Sequence, residues 1–178
     1  MRKLITILLF LVSSSAFAQL TIAQLVILAN GIKAETSPAI IVARQTRDDY
    51  TLFLWVNAAS STNVWNEAVP SALLVDAAPL TLYDGLTQGK RDEWRLLLDY
   101  NQSMDMRNLT KRASIVDAWG TASRSVPILQ AGLRFATHGE LYFGIASTVT
   151  TNTVTGSVLN RPGNIELNDV SIALNNNP

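Results

Sequence analysis

Residues 87–120 read TQGKRDEWRLLLDYNQSMDMRNLTKRASIVDAWG, and their apolar spacing predicts a helical hairpin. Thr87 is a plausible N-cap, because its hydroxyl can accept from a backbone N–H of the first turn. Trp94, Leu97 and Leu98 fall at i, i+3 and i+4 and share a face. Lys90, Arg91, Asp92 and Glu93 fall mostly on the polar side. Arg91 and Arg95 repel mildly, and Asp99 four residues after Arg95 offsets this. In the second segment Asp105 is the expected cap, and Leu109, Ala113, Val116 and Trp119 recur at helical spacing. Gly120 suits a left-handed position after the last turn. The link Tyr100–Met104 is short, so the helices should pack antiparallel. Trp94 and Trp119 read as packing residues rather than ligand contacts.

The chain around this hairpin has 178 residues, enough for one domain and at most a small appendage. It is 48% hydrophobic and 16% charged, which suits a folded core and argues against wholesale disorder. The formal charge is zero, unlike a protein that binds nucleic acid through its phosphates. The absence of cysteine excludes disulfides, thiolate zinc sites and cysteine nucleophiles. MRKLITILLFLVSSSAFA, residues 1–18, reads as a secretory signal. Arg2 and Lys3 precede a short apolar run, and Ala16-Phe17-Ala18 forms a small-x-small site before Gln19. The apolar run is too short to span a bilayer comfortably; a buried helix or retained anchor is the other reading.

After the signal, Thr21 and Gln24 form an expected capping box before an apolar helix that runs past Leu28 to Ile32. Ser37-Pro38 restarts a helix, and Thr46/Asp49 resembles a cap for another through about Val56. NAASSTN, residues 57–63, reads as a polar loop. Val64–Val69 reads as a short strand or extended link before Pro70. Ser71–Ala77 and Pro79–Asp84 read as short helical turns. Beyond the hairpin, Thr121–Ser125 reads as a linker, and Ser125 can cap a helix to about Leu133. Thr137 and Glu140 form a further capping box. Ile145–Leu159, IASTVTTNTVTGSVL, carries no charge and favours a β-hairpin turning near Thr151-Asn152. Its Thr-rich stretch 147–157 is either an exposed edge that pairs with another chain or an internal hairpin packed on the helices. Arg161–Asn164 is a turn, Asn168 can cap a last helix, and Asn175–Pro178 should fray.

Catalytic chemistry is mostly missing. His138 is the single histidine, too few for a usual zinc site, and no G-x-S-x-G elbow marks a nucleophile for it to serve. Asp48-Asp49 suits a helix start, where negative charge complements the dipole. Asp92-Glu93 suits a solvated face. Lys90, Arg91, Arg95, Arg107, Lys111 and Arg112 make the hairpin basic, but Asp92, Glu93, Asp99, Asp105 and Asp117 nearly balance them. No calcium loop, Walker glycines or dinucleotide fingerprint appears.

The order GLTQGKRDEWRLLL, RNLTKRASIVDAWG, ATHGELYFG, a Thr/Val-rich stretch and a terminal LNDVSIAL resembles a group of small tailed-bacteriophage proteins. Such proteins are encoded among virion structural genes and have no assigned reaction. Leu20–Val56 is similar to their usual start, a short helix followed by R-x-D-D and an apolar helix. One departure is Met1–Ala18, since those proteins usually begin at the first helix. The resemblance implies a structural or assembly role and offers no catalytic residues to carry over.

The expected fold is mainly α: a compact multi-helix domain around the helical hairpin, with a small C-terminal β-hairpin. Residues 1–18 are the expected signal peptide and 19–144 the helical domain. Residues 145–178 are a Thr/Val-rich β element and short terminal helix packed on that domain. The expected function is that of a non-enzymatic virion structural or assembly protein, with no catalytic, cofactor-binding or metal residues. Its expected partners are other phage structural proteins or itself. Nucleic acid, a small-molecule substrate and, after signal cleavage, a membrane are not expected. The alternative is an exported periplasmic binding or accessory protein acting at the host envelope.

Overall fold

The structure is a computed structural model and describes residues 20–99, 102–120, 122–161 and 163–176. The expected signal at 1–18 lies outside the described residues, as do parts of the Tyr100–Met104 link, the 121–125 linker, the 161–164 turn and the C-terminal tail.

Helix α1 (Ile22–Ala34) opens with the expected Thr21/Gln24 capping box and buries Leu25, Leu28, Ala29 and Ile32. Helix α2 (Pro38–Thr46) starts on proline, where the missing N–H is not needed. It ends at Arg47 in the left-handed region, φ 56°. The next cap differs from expectation. Asp48, not Thr46 or Asp49, caps α3 (Asp49–Asn57), accepting from the Thr51 N–H at 3.0 Å and its hydroxyl at 2.6 Å. These bonds hold the Asp48 carboxyl below its ordinary pKa. The Thr46 hydroxyl turns back to the Val42 carbonyl at 3.0 Å.

The chain continues through β1 (Ala59–Trp65), β2 (Val69–Pro70), α4 (Ser71–Ala77), a 3-10 turn (Leu80–Gly85) and α5 (Gln88–Asp99). Then come β3 (Ser103–Met104), α6 (Leu109–Trp119), α7 (Ala122–Ala131), β4 (Leu133–Thr137) and α8 (His138–Tyr142). The hairpin β5 (Ile145–Thr151) and β6 (Val154–Leu159) follows, and α9 (Leu167–Asn176) is last. Helix α9 begins before Asn168, the residue expected to cap it. Helix α7 begins before Ser125, which is buried rather than capping, and carries Pro127 internally.

This architecture corrects the mainly α expectation. The described residues form an α/β fold with a four-stranded mixed sheet, ordered β4-β1-β6-β5. Strands β1 and β4 pair antiparallel, β1 and β6 meet in parallel at Val64↔Ser157, and β5 and β6 pair antiparallel. The C-terminal hairpin is therefore one half of a sheet. Two strands in the region expected to be helical or loop supply the other half. The expected polar loop at 57–63 is mostly β1, and the expected end of a helix at Leu133 is the start of β4. A second, two-stranded sheet joins β2 to β3.

Trp65 on β1 enters one core with Leu74, Trp94, Ile115, Trp119, Leu129 and Val154. Its neighbour Val64 enters a small cluster with Ala136 and Leu159. Opposite faces of the sheet thus receive successive side chains, as a strand's period of two requires. Helices α1, α2, α3 and α9 build a separate core around Leu28, Ile32, Leu52 and Val170.

The hairpin α5/α6 forms as expected. Lys90 near the start of α5 meets Asp117 near the end of α6 at 3.0 Å, which is antiparallel geometry. Trp94 and Trp119 are buried edge to face, 5.5 Å between centroids at 81°. The face of α6 is turned relative to the expected stripe. Arg112, Ile115, Ala118 and Trp119 point inward, while Leu109 is 57% exposed. The cap of α6 is Asn108, whose side chain accepts from the Thr110 N–H at 2.8 Å. Asp105 instead receives the Arg107 N–H at 2.9 Å and its guanidinium.

Candidate protein-contact site

The β5–β6 hairpin turns through Asn152 and Thr153, at φ 45° and 73°. Two left-handed residues in a two-residue loop make the turn that follows the twist of a hairpin. Asn accepts this conformation readily; a β-branched Thr does so under strain. Two buried side chains pin the tip. Arg112 of α6 donates from Nε to the Thr151 hydroxyl at 3.0 Å. Ser125 of α7 receives the Asn152 Nδ2 at 2.6 Å.

Arg112 is almost fully buried. Its Nη1 donates to the Met106 carbonyl and to the Arg107 carbonyl at 2.8 Å. Its guanidinium carbon lies 4.5 Å from the Trp65 ring centroid. Burial pulls its pKa below the ordinary arginine value, against the opposing charge of Asp105. A guanidinium titrates so far above neutrality that it keeps its charge at pH 7. The side chain thereby ties together α6, the loop before it, β1 and the hairpin tip. The sequence held a signal for this role: Arg112, Ile115 and Trp119 share a helical face at i, i+3 and i+7.

With Arg112 inward, exposed Leu109, Ala113 and Asp117 and half-buried Val116 face Thr150, Thr151 and Asn152 across an open groove of about 610 Å³. Among the described residues strand β5 is one edge of the sheet and pairs on one side only, with β6. Residues Ile145, Ala146, Ser147, Thr148 and Thr150 are exposed. Threonine pairs lock β5 to β6: Thr148 to Ser157 at 3.1 Å, and Thr150 to Thr155 at 2.8 Å between hydroxyl oxygens. An edge strand presents every second N–H and C=O outward, a template for another strand. No charged residue stands between Ile145 and Asn160. Within the sheet β6 is internal and β5 is an edge.

The remaining sequence candidates do not assemble into a catalytic site. The His138 ring stacks on Trp55 with centroids 4.0 Å apart. Trp55 Nε1 donates to the Tyr142 hydroxyl at 3.3 Å, and that hydroxyl donates to Glu35 at 2.9 Å. Burial pushes the Tyr142 phenol well above its ordinary pKa. This chain of contacts ties α1, α3 and α8 together. Asp49 accepts from the Ser171 hydroxyl at 2.6 Å. Asp92 accepts from Gln88 at 2.8 Å, and Glu93 pairs with Lys90 at 2.9 Å, both at the surface. The bases do not gather on one face: Lys90 bridges two acids, Arg107 pairs with Asp105 and Glu67, and Arg112 is inside.

A cleft of about 320 Å³ lies among Lys33, Ile41, Arg44, Gln45, Arg47, Asp49 and Leu174. Its cations are engaged locally. Arg44 donates to the Lys33 and Glu35 carbonyls at the end of α1, and Arg47 to Asn175 at 2.6 Å. Among the described residues no group of three or more His, Cys, Asp or Glu could hold a metal ion, and no helix is long and apolar enough to cross a membrane. No protein-family model, curated protein or solved structure matches the chain.

Proposed function

We propose that this chain is a non-enzymatic structural or assembly component of a tailed-phage particle and works through protein–protein contacts. The observation that supports the contact role is the edge strand β5, uncharged along its length and exposed from Ile145 to Thr148 and at Thr150. Natural edges are commonly blunted with lysine, proline or a covering element. This one carries no charge or proline; its register shifts between Ile145 and Ser147, so Ser147–Thr151 is the regular segment open to strand addition, beside a groove lined by Leu109, Ala113, Asp117 and Thr150. The phage setting rests on the segment order from GLTQGKRDEWRLLL to LNDVSIAL. Mass spectrometry of purified particles tests it. The proposal predicts that peptides of this chain co-purify with capsid or tail proteins through a density gradient. Recovery of the chain only in a periplasmic fraction, beginning at Gln19, would favour an exported accessory protein and sink the proposal.

A further inference from the structure

We infer that β5 pairs antiparallel with β5 of a second copy, making one continuous sheet across a two-fold axis at Val149. The inference rests on the contact role proposed above and names the partner.

The register within the hairpin decides which groups face outward. Thr151↔Val154 closes a two-residue turn, and Val149↔Gly156 lies two residues further along the ladder. In an antiparallel ladder closed by such a turn, bonded pairs alternate with unbonded ones. Val149 and Thr151 therefore turn their backbone groups toward β6. The Val149 carbonyl also accepts the Trp65 indole N–H at 3.3 Å, on the inner side. Thr148 and Thr150 turn their N–H and C=O outward. Setting Val149 opposite Val149 on a two-fold axis places Thr148 opposite Thr150 in both directions. The outward groups of both copies are then paired.

Two features favour a second copy over an unrelated strand. The edge has no charge, so two identical edges meet without the repulsion that charged edges use to prevent this. The exposed face carries hydroxyls at Thr148 and Thr150, and pairing extends the Thr–Thr and Thr–Ser ladder from one copy into the next. The register is regular from Ser147 to Thr151 and shifts between Ile145 and Ser147, so the segment paired across the axis is Ser147–Thr151.

The chain has no cysteine, which permits a site-specific test in the full chain. An unbonded antiparallel pair has Cα atoms about 4.5 Å apart, within reach of a disulfide. Val149→Cys should form a disulfide-linked dimer at least tenfold faster than Phe135→Cys, whose residue is exposed on the opposite edge strand. Adding Thr148→Pro, which removes an outward N–H and the Thr148–Ser157 hydroxyl bond, should slow the reaction at least tenfold while the variant still unfolds cooperatively. Thr148→Lys serves as a second variant if the proline perturbs folding. Equal rates for Val149→Cys and Phe135→Cys, or rates insensitive to both Thr148 changes, overturn the inference. A monomeric wild type that is nevertheless found in particles refutes self-pairing and keeps the assembly role, with another protein's strand on this edge. A dimer that is absent from particles keeps self-pairing and refutes the particle role.

Discussion

Replacing Arg112 with methionine keeps most of the side-chain volume and removes every bond the guanidinium makes. Three oxygens then lose a donor: the Met106 and Arg107 carbonyls and the Thr151 hydroxyl. Hydrogen bonds to charged groups contribute about 1.5–3 kcal/mol each. Contact with the Trp65 face adds about 1 kcal/mol. Against this, removing a buried charge recovers several kcal/mol of desolvation. The balance is a loss of about 3 kcal/mol for Arg112→Met, larger for Arg112→Ala because a void is added. With a urea slope of about 2 kcal/mol per molar, the unfolding midpoint falls by about 1.5 M. Equilibrium urea unfolding followed by tryptophan fluorescence and far-UV circular dichroism measures this. A methionine variant whose midpoint lies within about 0.3 M of wild type would falsify the reasoning, because the desolvation cost would then cancel the bonds.

Glu140 yields a pH prediction. Burial pushes its carboxyl up, but bonds from Arg134, the Thr137 N–H and the Gly163 N–H outweigh burial and hold it below the ordinary 4.5. A depressed folded-state pKa contributes stability that is complete above the unfolded value and lost as pH falls through the folded one. Stability should therefore drop below about pH 4.5, and Glu140→Gln should flatten that drop in acid titrations. Arg134→Ala leaves the same carboxylate buried and unpaired, and denaturant unfolding should show a loss of about 3 kcal/mol. Thr153→Gly relieves a β-branched residue at φ 73° and should raise stability by about 1 kcal/mol in a melting series. At Gly31 an added Cβ would sit 2.3 Å from the Tyr142 ring, so Gly31→Ala should destabilise by about 2 kcal/mol despite its helix propensity.

The elements legible in the sequence are those whose signals are local. Thr21/Gln24 and Thr137/Glu140 form their capping boxes, and Pro38 opens its helix, because each signal completes itself within one turn. The β5–β6 hairpin is legible for the same reason. Strand β1 is not: Ala59-Ser-Ser-Thr-Asn is polar, its residues half-buried or exposed, and its identity comes from pairing with β4 some seventy positions later. Sheet partners so remote leave no periodic trace in either segment. The contact site was legible in its strand and not in its groove. Leu109, Ala113 and Val116 look like a core stripe, and the burial of Arg112, a charged residue with backbone carbonyls and an indole to receive it, turns Leu109 and Ala113 to the surface and leaves Val116 half-buried against the core.

The most direct test of the contact role compares incorporation of wild type and Thr148→Lys into particles, with both shown by cooperative melting to be folded. A lysine on the exposed edge should bar strand pairing without touching either core. The account predicts wild-type chain in gradient-purified particles and loss of at least nine-tenths of it for Thr148→Lys. Equal incorporation of the two chains would show that β5 carries no contact and would contradict the account at its centre.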